Sequence, residues 1–438
     1  MKNNHFDVVI IGGGCAGAST ALALIQQGVT NIAIVEKSDF SKPRVGETIQ
    51  PPTADLLKQL DLWEPFLKAG HLPSSGVASA WGTSELAYTD FIFKTSGKGW
   101  HLDRNAFDIM VLQLAVERRA TLFSETRLKN AIKTEKGWML QCNDEVLNTK
   151  FVVDASGRAC AFTKQLGIQK VQFDDLHGIY TYWKPTKGIA KAATTHTLVE
   201  TVENGWWYSA YLPDGTLAVA LMTDTELIKT HQLKNTTKYL AQLQQTIHTK
   251  TRLKDLEQLS EPSIKVASSY ELETIVGDNW MAVGDSASAY DPLSSYGIHK
   301  ALQNSIMAGE AIDAALCGDT RKLKVYEKSI QQSFEQFIST RYQYYTMETR
   351  WQQSSFWKNR QQLTTVHPLQ ELQVNTEHPP SWHKILPNEE IITLMQLCEQ
   401  PITAAQLIQN YKAKSSKNYP DWRVIQAVSV LYNKQLLS

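Results

Sequence analysis

"FDVVIIGGGCAGASTALAL", residues 6–24, decides how the rest of the chain is read. Phe6 to Ile11 is a continuous apolar, β-branched run, as expected of a strand buried on both faces. Gly12-x-Gly14-x-x-Gly17 follows, then an Ala- and Leu-rich helix over Ala18 to Gln27 that stops at Gly28. A second buried strand, Asn31 to Val35, is closed by Glu36, an acid at about 20 residues past the glycines. Gly12 allows the tight turn, Gly14 lets the backbone approach a pyrophosphate, and Gly17 lets helix and strand pack closely. The helix N-terminus, with Cys15 and Ala16 in the loop before it, then faces the phosphates, and Glu36 accepts from ribose hydroxyls. The glycine pattern is weak alone, so its surroundings must carry it.

The chain has 438 residues, enough for two or three domains with their own cores. Its 44 basic residues balance 44 acidic ones, which gives no electrostatic reason to expect nucleic acid or an anionic membrane as partner. The five cysteines are far apart and form no C-x-x-C pair, so neither a metal site nor a disulfide framework is expected. There is no signal-peptide pattern and no apolar run long enough to cross a bilayer, which makes a cytoplasmic protein the expectation.

No second GxGxxG appears, so no separate nicotinamide domain is expected. The later segments read instead as parts of one discontinuous domain. "FVVDASGR" (151–158) is a buried strand ending in Asp154 and a Ser-Gly turn at Gly157. "WMAVGDSASAYDPLSSYGIHKAL" (280–302) is a strand ending at Gly284-Asp285, then a loop and a helix from near Gly297. An Asp at a strand end beside a helix N-terminus suits a sugar-like hydroxyl, or serves as an ordinary helix cap.

With "PRVGETIQPP" (43–52) and "GWHLDRNAFD" (99–108), these segments resemble the FAD-dependent aromatic-hydroxylase and tryptophan-halogenase superfamily in order over residues 6 to about 320. The resemblance implies an α/β fold. A Rossmann-like FAD-binding domain would occupy 1–72, 100–170 and 265–330, a mixed-sheet substrate domain 73–99 and 171–264, and a helical region 331–438. It implies non-covalent FAD. Glu36 and Lys37 would hold the adenosine ribose, Arg104 would reach the cofactor, and Asp154 and Asp285 would take the ribityl chain. Val45, Gly46, Glu47 and Thr48 would flank the flavin ring from one side, with Pro292, Gly297 and Ile298 on the other.

The halogenase branch fits poorly. Its glutamate after Pro-Leu is Ser294 here, "GWWYSAYLP" (205–213) lacks its W-x-W-x-I-P motif, and Lys58, Lys68 and Lys94 stand in no matching context. Tyr296 before Gly297 also alters its chloride pocket. "VGETIQPP", "GWHLDR" and the DPLSS loop are most similar to the LodB/GoxB and QhpG types, flavoproteins that mature tryptophylquinone cofactors. The implied activity is monooxygenation of a Trp ring in the precursor of an oxidase or dehydrogenase, with molecular oxygen and an unidentified reductant. Halogenation or hydroxylation of a small aromatic is the alternative, and a catalytically idle scaffold that binds the precursor is a third reading. Catalytic residues stay open: Glu47, Ser294 and Ser295, and by type His71, His101 and His299.

Residues 331–360 read as a helical stretch loaded with Tyr, Phe and Trp, either core or a docking rim. Beyond a Pro- and His-containing linker (367–387), three amphipathic helices cover 389–399, 403–411 and 421–434, with Thr403 as N-cap. The module from 388 is winged-helix-like in pattern. Five basic against four acidic residues, with no basic stripe on its last helix, disfavour DNA.

Overall fold

The computed structural model describes residues 4–93, 97–186, 194–361, 371–374, 385–417, 419–433 and 436–437. Lys94, Lys434 and most of the 367–387 linker lie outside them. The opening run forms β1 (His5–Ile11), the glycines turn the chain into α1 (Cys15–Gln26), and β2 (Ile32–Val35) returns beside β1. The helix begins three residues before the Ala/Leu run suggests, because Gly14 already takes the N-cap place. Gly12 sits at φ +110°, and a Cβ on Gly17 would lie 1.8 Å from the Gly12 carbonyl oxygen, so neither position takes another residue without strain.

β1 is the centre of the parallel part of a mixed eight-stranded sheet. It pairs with β2 on one side and with β3 (Glu145–Asp154) on the other, and β3 pairs with β4 (Trp280–Ala282). Alternation along β1 splits its side chains between two cores: Val8 and Ile10 pack under the helices, Val9 and Ile11 against Trp138, Leu140 and Phe162. The covering helices are α1, α2 (Arg104–Glu117) and α3 (Gly297–Leu316). α3 and α1 approach closely at Gly309, where a Cβ would lie 2.7 Å from that of Ala23.

A second, mostly antiparallel sheet holds eight strands between Gly76 and Val266, with one parallel pair, Thr197–Val202 beside Gly76–Ala80. Adjacent Trp206 and Trp207 point to opposite faces of it: Trp206 packs near Tyr345, Phe356 and Trp357, Trp207 against Tyr239. A small sheet of Thr48–Ile49, Leu72–Ser74 and Gly99–His101 lies between the loop after β2 and the second sheet.

The aromatic-rich stretch is not one helix. α4 (Arg321–Thr346) ends, and α5 (Ser355–Gln361) begins after a break. Phe334, Tyr345, Phe356 and Trp357 are buried and build core, whereas Tyr344 is 53% exposed. Beyond them α6 (Asn388–Leu397), α7 (Ala404–Lys414) and α8 (Asp421–Asn433) share an apolar core around Leu394, Leu407 and Val428. Thr403 caps α7 by accepting from the Gln406 N–H. Arg423 ties this module to the rest of the chain, donating to Glu271 (2.9 Å) and to the Ile385 carbonyl (2.9 Å). Among the described residues no helix is long and apolar enough to cross a membrane.

Candidate flavin site

Parallel strands end on one edge of their sheet, and here that edge opens into a cleft of about 480 Å³. Ligand sites span roughly 300–1,000 Å³. Gly12, Gly14, Cys15, Ala16, Glu36 and Lys37 line one end. At the other end Tyr180, Tyr208 and Met222 of the second sheet face Val45–Thr48 and the loop Asp291–Ile298.

At the first end the N–H groups of the α1 first turn have no acceptor inside their helix and make an anion site. Glu36 Oε2 accepts from the Gly13 N–H at 2.7 Å, while Oε1 accepts from the Ser38 N–H (2.7 Å) and hydroxyl (2.6 Å). Three protein donors leave this carboxylate room for one more, which suits a ribose hydroxyl. Arg104, in the first turn of α2, donates to the carbonyls of Val45 and Gly46 and pairs with Asp108 at 3.3 Å. Its Nε is buried and has no partner among the described residues. Arg44, which the sequence reading missed, binds the same Asp108 at 2.7 Å and brings its guanidinium to 3.9 Å from Glu36.

In the middle, Asp285, in the short turn Gly284–Ser286 after β4, is held by two cations, Lys300 Nζ at 3.0 Å and Arg158 Nε at 3.7 Å. Burial alone would raise its ionisation, but the two cations outweigh it and hold the carboxyl below the usual range. At the far end Asp291 accepts from the Leu293 N–H (2.9 Å) and from the Tyr345 hydroxyl (2.8 Å), fixing the loop against α4. Glu47 is 3% exposed, and its Oε1 has no partner among the described residues. Burial, the largest influence on it, pushes its carboxyl above the usual range.

Two cofactor assignments need correction. Asp154 is fully buried and absent from the cleft wall: its oxygens accept from Ser156, Phe162, Thr163 and Ser286, so it ties a turn together and has nothing left for a ribityl chain. Gly284 also stays out of the wall, where a Cβ would lie 2.7 Å from that of Ala16, while Gly17 serves the close helix–strand packing expected of it. Gly157, Asp285, Pro292, Gly297 and Ile298 do line the cleft. Of the catalytic candidates, Glu47, Ser294 and Ser295 line it. Ser294 turns its hydroxyl back onto the Asp291 carbonyl at 2.9 Å. His71, His101 and His299 do not reach the wall; His299 contacts Thr53 at 3.3 Å and the tilted Tyr296 ring at 4.3 Å between centroids.

Arg158, Lys300, Tyr180, Tyr208, Met222 and Lys265 were not singled out from the sequence. Arg158 stood inside the quoted "DASGR" and could have been found there. The second-sheet residues carry no local signal, because only the tertiary fold brings them over the loops.

Residues 5–340 match the FAD binding domain family. The chain is 28% identical over 370 residues to the putative FAD-dependent oxidoreductase LodB of Marinomonas mediterranea, covering 82% of this chain and 98% of that protein. It is 25% identical over 455 residues to a 1H-pyrrole-2-carbonyl-(peptidyl-carrier protein) chlorinase of Pseudomonas fluorescens, covering 90% and 99%. Among solved structures it resembles the flavin-dependent halogenase CmlS (TM-score 0.74, 20% identity, 99% of this chain and 96% of that one). It also resembles the myxobacterial chondrochloren halogenase CndH (TM-score 0.75, 19% identity, 98% and 97%). The free first-turn amides, the room left on Glu36 and the unpartnered Arg104 Nε fit the phosphates, ribose and polar edge of FAD. The chain belongs to the FAD binding domain family and is a FAD-dependent oxidoreductase of the monooxygenase and halogenase superfamily.

Proposed function

We propose that this flavoenzyme oxygenates a tryptophan side chain within a partner protein, the precursor of a tryptophylquinone oxidase or dehydrogenase. Flavin supplies the activation of dioxygen toward an electron-rich ring. The chain's own residues position it: Glu36 and the α1 amides at the nucleotide, Asp285 with Lys300 and Arg158 at the middle, and the 45–48 and 291–298 loops around the ring. Tyr180, Tyr208 and Met222 make an apolar wall where an indole can lie and water is excluded.

The observation that carries the choice is Ser294. At the place of the halogenase glutamate there is a hydroxyl spent on its own loop, so the site lacks that carboxylate. Overall similarity to LodB along nearly its whole length supports the same reading. Carrier-protein substrates in the names of two relatives support a macromolecular substrate in this superfamily.

Lys265, which lines the cleft from the second sheet, favours the alternative, halogenation of a small aromatic. A single experiment separates the two. The reduced holoenzyme is given oxygen, bromide and either the precursor or free tryptophan, and products are read by mass. The proposal expects oxygen added to the precursor and no bromine isotope pattern; brominated tryptophan would replace it with the alternative.

A further inference from the structure

The second sheet has an open edge that runs into the flavin cleft. Its strand Ser263–Val266 pairs with Leu176–Pro185 on one side and, among the described residues, with no strand on the other. Just past its end the Ala267 N–H donates to the Leu176 carbonyl at 2.9 Å, which fixes the phase of the ladder. Antiparallel pairs alternate, so Ser263 and Lys265 turn their N–H and C=O groups toward Leu176–Pro185, and Ile264 and Val266 turn theirs outward. Those outward groups have no partner among the described residues, and Val266 is 54% exposed. The strand ends in the cleft wall, to which Lys265, Val266 and Ala267 all contribute. The far edge of the same sheet, Ala87–Asp90, adds no residue to that wall.

Register decides which way a residue added at this edge would point. Residues opposite one another in a ladder share a face, as do residues two apart along a strand. Lys265 stands opposite Gly178, and Gly178 opposite Met222. Tyr180, two residues on from Gly178, stands opposite Ala220, which pairs with Tyr208. Lys265 therefore projects over the face that carries Tyr180, Tyr208 and Met222, the apolar wall of the cleft. The Tyr180 ring lies across Gly178, where a Cβ would come within 2.6 Å of Tyr180 Cε2. A side chain placed opposite Lys265 would project over this same face, with an aromatic floor next to it.

We propose that the edge Ser263–Val266 takes an extended segment of the partner protein as one more antiparallel strand, with the target tryptophan opposite Lys265. The residues on either side of that tryptophan exchange backbone hydrogen bonds with Ile264 and Val266. Its own N–H and C=O face solvent, and its indole turns toward the cleft. Adjacent strands lie about 4.8 Å apart, so the ring enters one strand spacing beyond Lys265. Main-chain bonds hold the segment whatever its sequence, and the cleft selects the ring. A second copy of this chain fits the edge worse. Two-fold pairing through the same outward residues sets Lys265 against Lys265, and like charges directly opposite repel.

The inference rests on the reading that the substrate is a tryptophan within a protein, and its test is made without turnover. The probe is a capped peptide, acetyl-Thr-Val-Trp-Val-Thr-amide, titrated into the FAD-loaded enzyme and followed by calorimetry and by flavin absorbance. Three further peptides each carry one backbone N-methyl group. On the nitrogen of either valine the methyl removes a donor to the edge and intrudes on the ladder, so binding should weaken about tenfold or more. On the tryptophan nitrogen it points to solvent, and binding should stay within about threefold. An apolar contact alone would not produce that alternation. On the protein, Ile264→Pro removes an outward N–H and no bond to Leu176–Pro185, and should weaken the unmodified peptide about tenfold. Ile264→Ala keeps the N–H and should change binding by less than about threefold. If the proline variant does not fold, the methylated peptides decide alone. No binding of the unmodified peptide, or equal effects of the three methyl positions, overturns the proposal. So does Ile264→Pro turning a dimer into a monomer with peptide binding unchanged, which would assign the edge to a second copy. A peptide that binds with the expected alternation and is never oxygenated would strike the oxygenase reading and leave the edge assignment standing.

Discussion

Asp285 sits between Lys300 and Arg158, so removing it does two things. Asp285→Ala deletes an acceptor in the cleft and leaves the Lys300 ammonium, 3% exposed, without its carboxylate. A hydrogen bond to a charged group contributes about 1.5–3 kcal/mol, so FAD should bind roughly 10- to 100-fold more weakly. Asp285→Asn, which keeps a carbonyl acceptor, should lose less. Fluorescence titration of the apoprotein checks both, and an unchanged dissociation constant for the Ala variant contradicts the assignment. His101 makes a pH prediction. Burial lowers its ionisation from 6.5 to about 4, so the neutral form belongs to the fold. Its contribution is present above 6.5 and disappears as pH falls through about 4, because the unfolded chain takes up the proton first. That difference corresponds to about 3 kcal/mol. Denaturant unfolding should show wild type losing more stability than His101→Gln on acidification over this range; equal losses would place His101 in a wetter environment than the fold shows.

At the scale of elements, the glycine loop was legible because its logic is local: a strand, a turn that only glycine permits, a helix and an acid lie within one stretch. The 45–48 and 291–298 segments were legible as motifs for the same reason. Asp154 was misread because its fate depends on donors from Phe162, Thr163 and Ser286, which a strand-end rule does not see. The aromatic stretch was legible as helical, but the break after Thr346 and the burial of Tyr345 and Trp357 follow from packing on the second sheet. The C-terminal module supplies the element-scale prediction. Glu271 is pushed up to about 7 by burial, even against its Arg423 partner. Breaking a buried pair from one side costs about 3–5 kcal/mol. Arg423→Ala should therefore loosen α6–α8 and raise their hydrogen exchange, more at about pH 8 than at about pH 6, where Glu271 takes a proton and carries no charge. The flavin spectrum should not move. Unchanged exchange in α6–α8 would mean that their apolar contacts, not this pair, dock the module.

For the whole molecule, two sheets meet at one cleft, and the helical module lies outside it. The residues at the flavin cleft all precede residue 302. Deleting 389–438 should leave the flavin absorbance intact and reduce modification of the precursor; loss of FAD on truncation would make the module part of the cofactor fold. FAD should also come off the native protein as free yellow chromophore on acid precipitation, since we propose non-covalent binding. The central claim, that this flavoenzyme oxygenates a protein tryptophan, is tested most directly with isotopically labelled dioxygen. Reduced holoenzyme and the partner precursor are exposed to it, and the peptide carrying the target tryptophan is analysed by mass spectrometry. The account predicts labelled oxygen on the indole ring of that peptide, dependent on FAD. An unlabelled tryptophan in the presence of active, reoxidising enzyme would contradict it.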